Sequence, residues 1–181
     1  MDQRKVKTQQ AIQDAFLQLR KDKPLEQISV TELARLARIS KATFYLHYRD
    51  IFDLSEKLQT ASIRQVLDQI DISPSVMDHW PEFAKELMEI MDRDSSALTI
   101  LFSDSQIAMI PILLEDQIRH RIWPQSPALH EDTELSIRLT YHIQGSYHAY
   151  LRHAHHTDIR KILEIIDDIH YKSGMTIPER R

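Results

Sequence analysis

The sequence contains no cysteine and only two glycines, Gly145 and Gly174. Without cysteine there is no disulfide framework, no thiol nucleophile and no thiolate metal site. Two isolated glycines cannot build a dinucleotide loop, a phosphate loop or a nucleophile elbow, each of which needs several glycines at fixed spacing. No apolar run approaches the ~20 residues that a bilayer requires, and the N-terminal stretch lacks the apolar segment of a signal peptide. No sustained period-two alternation marks a strand. These absences predict an all-α chain in the cytoplasm, with no membrane partner. The 181 residues are 42% hydrophobic and 28% charged, far from the polar, highly charged profile of disorder. They suffice for a small head and a larger body.

The net charge of −4 hides an asymmetry. Residues 1–50 hold ten Lys/Arg against six Asp/Glu, a net +4, and residues 51–181 hold thirteen against 21, a net −8. A basic head on an acidic body is the electrostatic footprint of a nucleic-acid reader with a separate non-binding module.

Helical periodicity runs nearly throughout. Ile12, Ala15, Phe16 and Leu19 mark one face of a first helix, which Lys23-Pro24 ends. Ser29 with Glu32 forms a capping box for a second, Ser40 caps a short third, and Asp50 caps a long fourth. Further helices follow from Trp80, with Asp78 as cap, and between Ser95 and Trp123. After a break at Pro124 to Pro127, another runs from Glu131 to about His153. Thr157 caps a last one, which stops at Gly174.

The second and third helices are joined by a very short turn at Arg38-Ile39-Ser40, the helix-turn-helix arrangement whose second helix lies in the major groove. Ala34 and Ala37 allow the helices to cross closely, Ile39 plugs the turn, and Phe44 points back toward Leu33 and Phe16. The face left over is Lys41, Ala42, Thr43, Tyr45, His47 and Tyr48, with no acidic residue among them. Such donors suit phosphates and base edges. Ser40 at the helix start, Thr31 at the start of the second helix and Arg49 beyond the third complete the candidate DNA contacts. Arg4, Lys5 and Lys7 are candidates for a basic arm.

Thr8, Ile12, Ala15-Phe16, Leu19, Ile28 to Ala34, Ala37, Ile39-Ser40, Thr43-Phe44-Tyr45, His47-Tyr48 and Leu54 resemble the TetR/AcrR family of bacterial transcriptional regulators. The resemblance covers about the first 55 residues and implies a three-helix DNA-binding domain over 1–50. It also implies a helical dimerisation and effector-binding domain over 51–181. The implied function is a homodimeric repressor, not an enzyme, released from a palindromic operator in double-stranded DNA by a small-molecule effector. Two positions depart from the family pattern. Arg38 stands where the turn often has glycine, which disfavours a left-handed backbone there. Ile51 stands where a phosphate-binding lysine is usual, leaving Arg49 as its replacement.

The body supplies further candidates. Phe83, Met88, Met91 and Phe102, with Met109, Trp123, Tyr141 and Tyr147, are large adaptable side chains suited to an apolar effector pocket. Ile162, Ile165, Ile166 and Ile169 cannot all face one core, and Gly145 inside a helix points to a close approach by a partner helix. His153, His155 and His156, with His142 and His148 upstream, are the one candidate metal cluster. Adjacent His155 and His156 point apart, and His130-Glu131 is followed at the zincin spacing by Glu134 instead of histidine. No metal or cofactor is therefore expected. Two alternatives remain: a helix-turn-helix protein that bridges DNA or a protein partner without an effector, and a helical metal-dependent enzyme built on the histidines.

Overall fold

The computed structural model describes residues 3–77, 79–93, 95–125 and 132–172. Asp78, Pro127, the His130-Glu131 pair and Gly174, all named above, lie outside the described residues. The fold is all-α, and there is no strand among the described residues. In chain order the helices are α1 (Gln3–Asp22), α2 (Val30–Leu36), α3 (Lys41–Tyr45), α4 (Ile51–Leu67), α5 (Trp80–Arg93), α6 (Ser95–Leu101), α7 (Met109–Ile122), α8 (Thr133–His153) and α9 (Ile159–Lys172). Short 3-10 turns punctuate them. No described helix is long and apolar enough to cross a membrane.

The chain divides into two compact units. The first is Met1–Ser62 with Ser95–Ala108, and the second is Ile63–Asp94 with Met109–Arg181. In the first unit α1 packs on α2 and on α6, and α2 packs on α3. Its centre is the apolar stripe anticipated from spacing: Ile12 and Phe16 of α1, Leu33 of α2, Phe44 of α3 and Leu54 of α4 are all fully buried. Polar pins add the α6 segment. The side chain of Arg20 is wholly buried. It donates to the Lys23 carbonyl at 2.7 Å, to the Ser103 carbonyl at 3.3 Å and to the Ser103 hydroxyl, and it pairs with Asp104 at 3.6 Å. Gln59 donates to the Leu101 carbonyl at 3.0 Å. A buried guanidinium persists only with such partners, because an unpaired one forfeits its hydration without return.

In the second unit α5 packs on α9, α7 on α8, and α8 on α9. Trp80, 2% exposed, anchors it. Its ring centroid lies 5.2 Å from those of Phe83 and His142, and its indole N–H donates to Ser146 Oγ at 3.3 Å. Between α7 and α8, Glu115 accepts from Thr140 Oγ1 at 2.6 Å, Arg119 at 2.7 Å and Gln144 at 3.4 Å. Burial acts to raise the Glu115 carboxyl, but those hydrogen bonds outweigh it and hold the group below its usual range. The α8 cap is Asp132, accepting from the Leu135 N–H at 3.0 Å, so the helix starts two residues later than the expected Glu131. For α9 the cap-side hydrogen bond comes from Asp158, which accepts from the Arg160 N–H at 2.8 Å, and not from Thr157. A carboxylate one residue nearer the helix supplies the acceptor first.

Candidate nucleic-acid interface

Local chemistry sets the α2–α3 turn. Ser29 Oγ accepts from the Glu32 N–H at 3.2 Å. Glu32 does not complete the box, because its carboxylate pairs with Lys23 Nζ at 2.6 Å. At the other end the Ile39 N–H donates to the Ala34 carbonyl at 2.9 Å and the Arg38 N–H to the Arg35 carbonyl at 3.3 Å. That pair of bonds is a Schellman termination, which requires a left-handed residue just past the C-cap. Arg38 is that residue, with φ 55°. The expectation that arginine would avoid this conformation is thus corrected: satisfying two end carbonyls outweighs the Cβ penalty. Arg38→Gly is therefore expected to stabilise the protein by ~1 kcal/mol. Urea unfolding at unchanged m-value checks this, and a lower midpoint would overturn it.

α3 begins at once. Ser40 caps it by accepting from the Thr43 N–H at 3.0 Å, and the Ser40 and Thr43 hydroxyls lie 2.8 Å apart. Lys41 and Ala42 are exposed, Tyr45 is 56% exposed, and Thr43 and His47 are half-buried. Thr31 and Ser40 are exposed. No carboxylate stands on α3. Tyr48, grouped with this face from sequence, is only 4% exposed. Its ring lies 5.7 Å from Phe44, and Lys57 Nζ lies 5.2 Å from its centroid. The reason is register: the Tyr48 N–H donates to the Phe44 carbonyl at 3.0 Å, so helical geometry continues past α3 and stacks residue 48 over the core residue 44. Sequence reading also passed over Leu46, which is 83% exposed. Its position one turn beyond Ala42 was the available signal.

Beyond α3, Asp50 caps α4 as expected, accepting from the Asp53 N–H at 2.8 Å. Ile51 is buried, so the first residue of α4 serves the core. Arg49 remains accessible, its side chain 80% exposed. Asp53 orients it, accepting from the Arg49 N–H at 3.0 Å and from Nε at 3.2 Å. Lys57 Nζ, 2.9 Å away, gives the leading contribution that holds the Asp53 carboxyl below its usual range; the Arg49 hydrogen bonds add to it against burial.

The effector candidates differ in burial. Phe102 is buried in the first unit, while Phe83 and Tyr147 are buried in the second. Met88, Met91, Met109 and Trp123 are half-buried. Tyr141 is 55% exposed on α8. Phe83 borders a cleft of ≈ 220 Å³ with Asp71, His79, Glu82 and Glu86. Trp123 borders a crevice of ≈ 10 Å³, about one water in size. Among the dimer candidates, Ile165 and Ile169 are about half exposed, whereas Ile162 and Ile166 are buried in their own unit. An added Cβ at Gly145 would meet nothing within 4 Å. Of the candidate metal-cluster histidines, His142 is buried beside Trp80, and His148, His153, His155 and His156 are exposed. Among the described residues, no group of three or more His, Cys, Asp or Glu is placed to hold a metal ion.

Comparison with known proteins finds a distant relative. The chain is 25% identical over 136 residues to the uncharacterized HTH-type transcriptional regulator YxbF of Bacillus subtilis (strain 168). The alignment takes in 75% of this chain but only 35% of the relative, so the chain spans about a third of that protein's length. No family model matches, and no solved structure matches significantly.

Proposed function

We propose that this chain is a DNA-binding transcriptional regulator of the TetR/AcrR type, inserting α3 into the major groove. The carrying observation is the α2–α3 pair. The two helices meet at a Schellman turn, and the outward side of α3 and the turn after it offers Lys41, Thr43, Tyr45 and His47 without one carboxylate. The name of the distant relative supports the same class. The reading extends to a homodimeric repressor on a palindrome, with half-sites ~34–36 Å apart or a multiple of that. It further extends to release by a mostly apolar small molecule in the α5–α8 layer.

Selecting duplexes from a randomised pool with the full-length protein tests the reading. An enriched palindrome is the expected result, and no enrichment would overturn it. On the selected duplex, the Lys41→Ala/Tyr45→Ala double variant should bind about tenfold or more weaker, with a salt slope lower by ~1. Both side chains are exposed, so helix content should not change. Undiminished affinity would remove α3 from the interface.

A further inference from the structure

We infer that Ala42 and Leu46 form an apolar ridge that reads thymine 5-methyl groups, making Leu46 a specificity-determining residue; this rests on the DNA-binding reading above. The Leu46 N–H donates to the Ala42 carbonyl at 3.2 Å, and the Tyr48 N–H to the Phe44 carbonyl at 3.0 Å. One helical turn thus stacks 46 on 42 and 48 on 44, on opposite sides of the axis. The 44/48 side is buried. The 42/46 side therefore stands furthest out from the core, and Leu46 is 83% exposed there. Lys41 and Tyr45 flank the ridge on one side, Thr43 and His47 on the other.

The ridge is hydrocarbon framed by donors. Single exposed leucines are common on protein surfaces; what sets Leu46 apart is its place on the outermost side of the turn that continues α3, between donor-bearing side chains. The frame is cationic and donor-rich, and residues 1–50 carry a net +4, so the complementary surface is a polyanion rather than an apolar protein patch. In the major groove, thymine alone presents a hydrocarbon group, its 5-methyl; other edges present acceptors and donors. Leucine against guanine O6 or cytosine N4 would strip those groups of water and return no hydrogen bond. The ridge thus favours thymine by contact and penalises guanine and cytosine by desolvation. Lys41 and Arg49 hold the backbone and fix the register in which the ridge meets its bases.

Deoxyuridine, which differs from thymidine by that one methyl, tests the inference. Each thymine of the selected duplex is replaced by deoxyuridine in turn, and binding is measured for the wild-type protein and Leu46→Ala. At one or more thymines per half-site the wild type should lose about fourfold for each buried methyl. Leu46→Ala should show no such loss there, while keeping the wild-type salt slope. Thymine replacements that cost nothing in the wild type, or cost both proteins equally, overturn the ridge and leave DNA binding intact. So does a Leu46→Ala variant that keeps its thymine sensitivity but changes oligomeric state, which would assign the ridge to a protein contact. Failure to select any duplex overturns the DNA-binding reading itself.

Discussion

Phe44→Ala is expected to cost about 3–5 kcal/mol, the usual loss for emptying a buried aromatic site. The ring is fully buried, lies 5.5 Å from Tyr45 and 5.7 Å from Tyr48, and joins Phe16, Leu33 and Leu54 in the core of the first unit. α3 has five residues and no stability of its own, because a helix that short never recovers its nucleation cost without tertiary packing. Phe44 is its buried residue. Domains are stable by only about 5–15 kcal/mol in total, so this loss removes roughly a fifth or more. Amide exchange should rise first across α2, α3 and the turn, and DNA binding should fall with it. A drop below ~1 kcal/mol in urea would show that α3 is held by something else.

Gly145→Leu should have the opposite character: little cost to the chain alone and a large cost to assembly. An added Cβ meets nothing within 4 Å, and glycine in a helix interior costs ~1 kcal/mol against alanine. The isolated chain should therefore tolerate the change or gain by it. The surroundings suggest why glycine is there. Ile137 is 64% and Tyr141 55% exposed, two turns and one turn before Gly145 on α8. On the adjoining α9, Ile165 is 48% and Ile169 51% exposed. If two copies pack these faces as a four-helix bundle, a leucine at 145 fills the space the partner helix needs. Sedimentation should then show monomers with unchanged helix content. Binding to the palindrome should fall by about 10²–10⁴, since two linked heads lose their shared avidity. A variant that remains dimeric would place the interface elsewhere.

Much of the fold is legible in the sequence because its signals are local. Ser29, Ser40 and Asp50 mark helix starts by chemistry that reaches three residues ahead, and each accepts the expected N–H. The stripe of Ile12, Phe16, Leu33 and Phe44 follows from spacing alone. The misreadings involve competition or distance. Arg38 takes a left-handed conformation that propensity disfavours, because two carbonyls need it. Tyr48 is buried because the helical turn runs on past α3, which its polar hydroxyl conceals. Leu46 escaped attention because an apolar residue is not looked for on a polar face. Nothing local tells Phe102, buried in the first unit, from Phe83, buried in the second. Met and aromatic stripes look alike whether they fill a core or line a cavity.

The attachment of Arg20 to Ser103 and Asp104 has a consequence for how the molecule is made and cut. The three-helix region reads as a portable N-terminal piece, yet its buried guanidinium finds these partners 83 residues downstream. A chain emerging at ~5–20 residues per second must therefore wait several seconds after α1 appears before this charge is neutralised. A fragment ending at Ser62 never reaches that point. It would carry Arg20 with the Lys23 carbonyl but without Ser103 or Asp104, and Gln59 without the Leu101 carbonyl. Grafting the α1–α3 region of this protein onto another scaffold thus means transplanting two pieces of chain, or redesigning Arg20 and Gln59 as apolar residues.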